Sequence, residues 1–171
     1  LEIPGAREIA VEFHSFSKTY NMTGWRIGWA AGNADVIAAL ARVKSFVDTG
    51  QFLAVQAAAR AALETSAEWV PGNVAEFERR RDAAVAALRD AGFDARAPRA
   101  TMYLWVPVPE GFDSEGLARQ ALLQEGVVIM PGAALGTGGQ GFFRVALTRE
   151  PDMLREAARR LARVLETAEP D

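Results

Sequence analysis

The sequence predicts an α/β fold in two parts: the closing segment of one domain, then a small layer of helices on a short sheet. Three observations predict it. Runs of β-branched and aromatic residues alternate with stretches of helical apolar spacing along the 171 residues. The order of these runs changes around Pro71 and Gly72, from strand–strand–helix–helix to helix–strand–helix–strand–strand–helix. The first part has too few strands to build a sheet of its own. The expected boundaries are therefore 1–72 and 73–171.

Each element has a local reason. "IAVEFHSFS" (9–17) is β-branched and aromatic and reads as a strand, broken by the turn residues of "TYNMTG". "WRIGWAAG" (25–32) reads as a second strand, closed by Gly32 and Asn33. Asn33 suits a helix N-cap, and Val36, Ile37, Leu40 and Val43 follow at helical spacing. "FLAVQAAARAALE" (52–64) is apolar on most faces and is expected to be buried. "SAEWVPGN" reads as a hinge centred on Pro71 and Gly72.

After the hinge, "NVAEFERRRDAAVAALRDAG" predicts an amphipathic helix. Its apolar stripe includes Val74, Phe77, Val85 and Leu88, its arginines face water, and Gly92 lies just past its end. "ATMYLWVPVP" (100–109) is a strand stopped by Pro107 and Pro109. "DSEGLARQALLQEG" is a helix capped by Asp113 or Ser114. "VVIMPG" and "GFFRVALT" are short strands, joined by the glycine-rich "AALGTGGQG", which reads as a flexible loop. "EPDMLREAARRLARVLE" closes the chain as an amphipathic helix with Pro151 near its start.

Composition excludes several classes. The formal net charge of −3 offers no basic face for nucleic acid. With no cysteine, disulfides and thiolate metal sites are excluded. One histidine, His14, rules out a histidine-rich metal site, and in a strand it is expected to be packed. No apolar run is long enough to span a bilayer. "LEIPGAREIA" has neither the basic nor the apolar segment of a signal peptide, and no initial Met. The expectation is a cytoplasmic protein, read here as a piece of a longer chain.

The chemistry concentrates at Lys18 and Arg26. An isolated lysine at a strand end is usually a surface residue, but Phe16, Met22, Trp25, Ile27 and Trp29 make this neighbourhood apolar. Desolvation favours the neutral amine, which attacks aldehydes to form a Schiff base. Arg26 is either a structural ion-pair partner or a phosphate anchor, since its planar fork suits phosphate. Ser15 and Ser17 can donate hydroxyl bonds to the same phosphate, and Gly24 and Gly28 permit close backbone approach. "GTGGQG" (136–141) formally fits G-x-G-x-x-G, but a strand follows it where a dinucleotide site needs a helix. Tyr103 and Trp105 are assigned first to core packing and second to a pocket wall.

"SFSKTYNMTGWRIG" resembles the pyridoxal-phosphate lysine signature of class I/II aminotransferases, matching at Ser15, Ser17, Lys18, Asn21, Met22, Gly24, Arg26 and Gly28. "KSFVDTGQFLAVQAAARAAL" is similar to the LL-diaminopimelate aminotransferase-like branch of that family. "ATMYLWVPVP" and "GVVIMPGAALG…GFFRVALT" resemble its small-domain strands. The resemblance covers essentially the whole chain. It implies the C-terminal part of a fold type I transferase: the end of the large cofactor-binding domain, then the small domain. It implies pyridoxal 5'-phosphate as cofactor, with Lys18 forming the Schiff base. It further implies that Ser15 and Arg26 hold the phosphate, with Ser17 the lesser candidate for that role. Arg144 grips the substrate carboxylate; without the resemblance, an end-of-strand ion pair would be the better reading of it. Amino acids and 2-oxo acids are the implied substrates, and a homodimer the implied full-length assembly. Similarity leans toward LL-diaminopimelate or a related dicarboxylic or small neutral amino acid, although Ala133 stands where relatives carry a polar residue.

The family's partners for the pyridine ring precede the lysine segment. The chain is therefore expected to be inactive without the preceding part of the enzyme. Two rivals remain open: a non-catalytic interaction module of aminotransferase descent, and a lyase of the same fold.

Overall fold

The computed structural model describes residues 1–167, so the last four residues of the expected closing domain lie outside the described residues. The chain divides into two compact units, Leu1–Asn73 and the residues from Val74 onward.

In the first unit, a one-turn helix α1 (Ala6–Ile9) precedes β1 (Val11–Ser15). A second one-turn helix, α2 (Phe16–Thr19), follows directly. The predicted strand 9–17 is thus shorter at both ends: Ser15 ends it by capping α2, its hydroxyl accepting from Ser17 N. A 3-10 turn (Thr23–Trp25) leads to β2 (Gly28–Gly32), antiparallel to β1 with Ser15 opposite Gly28 and His14 opposite Trp29. Asn33 caps α3 (Ala34–Val47) by accepting from Val36 N, and α4 (Leu53–Glu64) follows. The small core of this unit is Phe16, Met22 and Ala59.

The expected burial of 52–64 is not found. Only Ala59 of α4 is buried, while Phe52 and Leu53 are 74% and 77% exposed. Most apolar side chains of α3 are exposed as well, Phe46 the most, and Ile37 is half-buried. Two strands and two longer helices give these faces too little to pack against within the unit.

The predicted hinge is a continuous helix. α5 (Ser66–Asp90) runs through Pro71 and Gly72. At the sixth position, Pro71 removes one backbone bond, the donor to Ala67, early in a helix favoured on both sides by Ala, Glu and Arg. Gly92 ends it in the left-handed region (φ 89°), with Phe93 N donating to Leu88 O at 2.9 Å.

The second unit folds around β3 (Tyr103–Pro107), β4 (Met130–Pro131) and β5 (Phe142–Ala146), an antiparallel sheet of order β3-β5-β4. Two further helices, α6 (Ser114–Glu125) and α7 (Pro151–Thr167), pack on it together with α5. Asp113 caps α6 by accepting from Glu115 N and Gly116 N. The core joins Val85 and Leu88 of α5, Leu104 and Val106 of β3, Leu117 and Ala121 of α6, Phe143 of β5, and Leu154, Leu161 and Val164 of α7. Phe93 meets Phe143 edge-on, ring centroids 5.4 Å apart.

The loop 132–141 is ordered by close backbone packing. Gly132 and Gly139 lie so near each other that a Cβ on either would overlap the other's carbonyl oxygen. Two 3-10 turns shape the segment, and β5 rather than a helix follows, so no dinucleotide loop is formed. Among the described residues, no helix is long and apolar enough to cross a membrane.

Candidate functional site

Four of the five candidate side chains lie on one tight turn of the first unit. Ser15 ends β1, Ser17 and Lys18 are in α2, and Arg26 follows the 3-10 turn. The turn is fixed by its own backbone. Phe16 O accepts from Tyr20 N and Met22 N, Lys18 O accepts from Asn21 N, and Thr23 Oγ1 donates to Ser17 O at 2.9 Å. Asn21 and Arg26 both adopt left-handed backbone, φ 53° each, so the chain reverses within a few residues. Arg26 Nη1 donates to Thr23 O at 2.9 Å, and no carboxylate among the described residues pairs with Arg26.

The apolar setting read from the sequence is only partly formed. Phe16 and Met22 are buried beneath the turn, but Lys18 is exposed and Trp25 and Trp29 are about half exposed. The folded unit does not enclose the amine, because its indoles flank open surface. Gly28 is required by strand pairing rather than by a ligand: a Cβ there would stand 2.5 Å from His14 O. Gly24 meets nothing within 4 Å. His14 stacks on Trp29 at 4.2 Å with its Nε2 3.1 Å from Glu12 Oε2, yet its side chain is 47% exposed, so it is a surface residue and not the packed one expected.

Arg144 lies in the second unit, on the central strand β5, between Trp105 of β3 and Met130 of β4 in register. Residues opposite one another across antiparallel strands share a face, as do residues two apart along a strand. Tyr103, Trp105, Phe142 and Arg144 thus form one face of the sheet, and Leu104, Val106 and Phe143 form the core face. This corrects the assignment of Tyr103 and Trp105 to the core. The Arg144 guanidinium sits over the Tyr103 ring, and Trp105 stacks on Phe142 at 5.5 Å. The end-of-strand ion pair is not found: among the described residues no carboxylate lies within salt-bridge reach of Arg144.

The charge pairs of the second unit lie elsewhere. Arg79 and Arg80, both bonded to Glu76, also reach Glu150 at 3.1 and 2.5 Å, joining α5 to the start of α7. Arg80 is covered there, and Arg81, bonded to Glu78, Asp82 and Pro98 O, is covered as well; their side chains are 16% and 22% exposed rather than turned to water. Hydrogen bonds from Arg79 and then Arg80 hold the Glu76 carboxyl below its ordinary range, and Arg163 does the same to Glu125. A groove of about 610 Å³ beside α7 is lined by Val127, Ile129, Met153 and Leu161 among others, and by none of the five candidate residues.

Sequence reasoning missed two residues beside the lysine turn. Trp69 Nε1 and Asn73 Nδ2, one helical turn apart on α5, both donate to Thr19 O, at 3.2 and 3.3 Å. A Trp and an Asn at i, i+4 on a helix were the available signal, hidden because that stretch reads as a hinge.

Residues 5–161 match the model of the family described as aminotransferase class I and II. The chain is 51% identical over 161 residues to an LL-diaminopimelate aminotransferase of Desulforudis audaxviator, covering 94% of this chain and 41% of that protein. It is 48% identical over 165 residues to the enzyme of that name from Moorella thermoacetica, covering 96% and 42%. Among solved structures it is similar to a probable N-succinyldiaminopimelate aminotransferase from Thermus thermophilus. That likeness has a TM-score of 0.87 and 39% identity, over 95% of this chain and 44% of that one. An aromatic aminotransferase from Pyrococcus horikoshii gives a TM-score of 0.88 at 29% identity, over 96% and 45%. The chain thus spans about two fifths of the length of the curated relatives it matches.

Proposed function

Because the chain belongs to the aminotransferase class I and II family, we propose that it serves the transfer of an amino group between an amino acid and a 2-oxo acid, with pyridoxal phosphate as cofactor. The observation that carries this reading is the turn 15–26, which sets two hydroxyls, an amine and a guanidinium on one short reversal. That donor set fits the group. The Lys18 amine suits an aldehyde, and the Ser15 hydroxyl and Arg26 guanidinium suit a phosphate, with Ser17 as a further donor. The chemistry supplied when pyridoxal phosphate is bound is an electrophilic aldehyde and a ring that draws electrons from the substrate Cα.

The chain's own residues supply the rest. Lys18 Nζ, when free, would hold and move the proton at the substrate Cα as general base. Arg144 orients the substrate by a bidentate grip on its carboxylate. Its support is a guanidinium with no carboxylate partner among the described residues, resting on Tyr103. The relatives named for LL-diaminopimelate support that amino acid, or a related dicarboxylic or small neutral one, as substrate.

We assign residues 1–72 to the closing segment of the large cofactor-binding domain and 73–171 to the small domain. The exposed apolar side chains of the first unit, Phe13, Phe46, Phe52 and Leu53, support assembly with the preceding part of the same enzyme and with a second copy. The same reading places the reaction in the cytoplasm.

A titration with pyridoxal phosphate tests the site. A visible absorbance band is expected for the unmodified chain and for Lys44→Ala, and none for Lys18→Ala. A band that survives Lys18→Ala overturns the assignment. Product analysis with the active protein separates reaction types: a 2-oxo acid without free ammonia is transamination, whereas ammonia release is elimination.

A further inference from the structure

The four backbone carbonyls from Phe16 to Thr19 are all engaged, and only that of Thr19 is held by side chains from about fifty residues away in sequence. Trp69 and Asn73 both donate to it. Asn73 uses the other end of its amide as well, its Oδ1 accepting from Asn21 Nδ2 at 3.3 Å. One side chain thus grips the residue after Lys18 and the left-handed residue that reverses the chain. A four-residue helix has little stability of its own, and its terminal carbonyls need partners. Lysine has a long flexible stem, so its amine is located only as well as its Cα.

We infer that Trp69 and Asn73 are positioning residues for Lys18, holding the turn that aims its amine. The inference rests on the reading of Lys18 as the reactive amine. Trp69 has a single donor, its indole N–H, so Trp69→Phe keeps the ring and removes the bond. Asn73→Leu keeps the bulk and removes both bonds.

The chain carries its own reference, because Lys18 and Lys44 are its two lysines. Lys44 sits on α3, paired with Asp48. With pyridoxal phosphate, a lysine amine condenses with the aldehyde with loss of water. Added borohydride then delivers hydride to the C=N carbon, and the nitrogen takes a proton from solvent, leaving a stable secondary amine. Mass spectrometry of the digested peptides gives the Lys18:Lys44 ratio, and amide hydrogen exchange at Asn21 and Met22 reports the turn itself.

In the double variant, which loses three exposed hydrogen bonds, exchange at these amides is expected to rise at least about tenfold and the ratio to fall by a similar factor. Each single variant should show part of both effects. Unchanged exchange overturns the inference. Faster exchange with an unchanged ratio overturns it too, since the residues would then serve the fold alone. Equal labelling of the two lysines in the unsubstituted chain would sink the reading of Lys18 itself, and the inference with it. A Lys18 preference that survives both substitutions sinks only the inference.

Discussion

The guanidinium carbon of Arg144 lies 4.3 Å from the ring centroid of Tyr103, with the two residues diagonal across the β3–β5 pair. The ring attracts the cation and restricts its swing over the sheet. For the carboxylate grip proposed for Arg144, measured in the assembled enzyme, Tyr103→Phe keeps the face and should leave recognition nearly unchanged. Tyr103→Leu should there raise the KM for the 2-oxo acid by about two- to fivefold, the size of a half-exposed cation–π contact, with kcat moved less. An equal loss in both variants would point to the hydroxyl instead.

The glycines of loop 132–141 are not equivalent. Gly139→Ala places a methyl group against Gly132 O and should cost at least about 1–3 kcal/mol, read as a lower denaturant midpoint. Gly138→Ala meets nothing within 4 Å and should be neutral within about 0.5 kcal/mol. Equal tolerance at both positions would mean that the two backbones do not cross as described.

Acid should weaken the second unit. Glu76, Glu125 and Glu156 are all held below the ordinary carboxylate range by hydrogen bonds from arginines. A carboxyl depressed in the folded state contributes stability that is fully present above its unfolded pKa, about 4.3, and is lost as pH falls through the lower folded value. The denaturant midpoint should therefore fall below about pH 4, and less steeply in Glu125→Gln. An unchanged acid slope in that variant would show that the Arg163 pair is inactive in solution.

Core and surface apolar residues of the second unit should separate sharply. Phe143→Ala empties the core face of β5 and should cost about 3–5 kcal/mol. Met153→Ala, at a side chain 57% exposed on α7, should cost less than about 0.5 kcal/mol. Similar thermal shifts would contradict the core assignment.

The second unit was the more legible part of the chain, for a physical reason. Its elements bury their faces on one another, so the stripe read at Phe77, Val85 and Leu88 describes contacts that exist within it, whereas Val74 at the head of that stripe is exposed. Asn33 and Asp113 were readable as caps because capping is local. The first unit read less well. The apolar stripe of 52–64 signals burial, yet burial requires a partner surface that the unit does not contain. Pro71 and Gly72 suggested a hinge because each breaks helix alone, while the helix is decided by the summed preference of the Ala, Glu and Arg on both sides. At the candidate site, the residue types of the lysine turn were visible, but the hold of Trp69 and Asn73 on Thr19 O is a contact across about fifty residues, and periodicity does not encode such contacts.

Lys18 is the amine proposed to take the cofactor aldehyde. The most direct measurement is peptide mapping of the unsubstituted chain after pyridoxal phosphate and borohydride. The pyridoxyl group is expected on the peptide that contains Lys18, well above the level on the Lys44 peptide. Label shared evenly between the two lysines, or found mainly on Lys44, would contradict it.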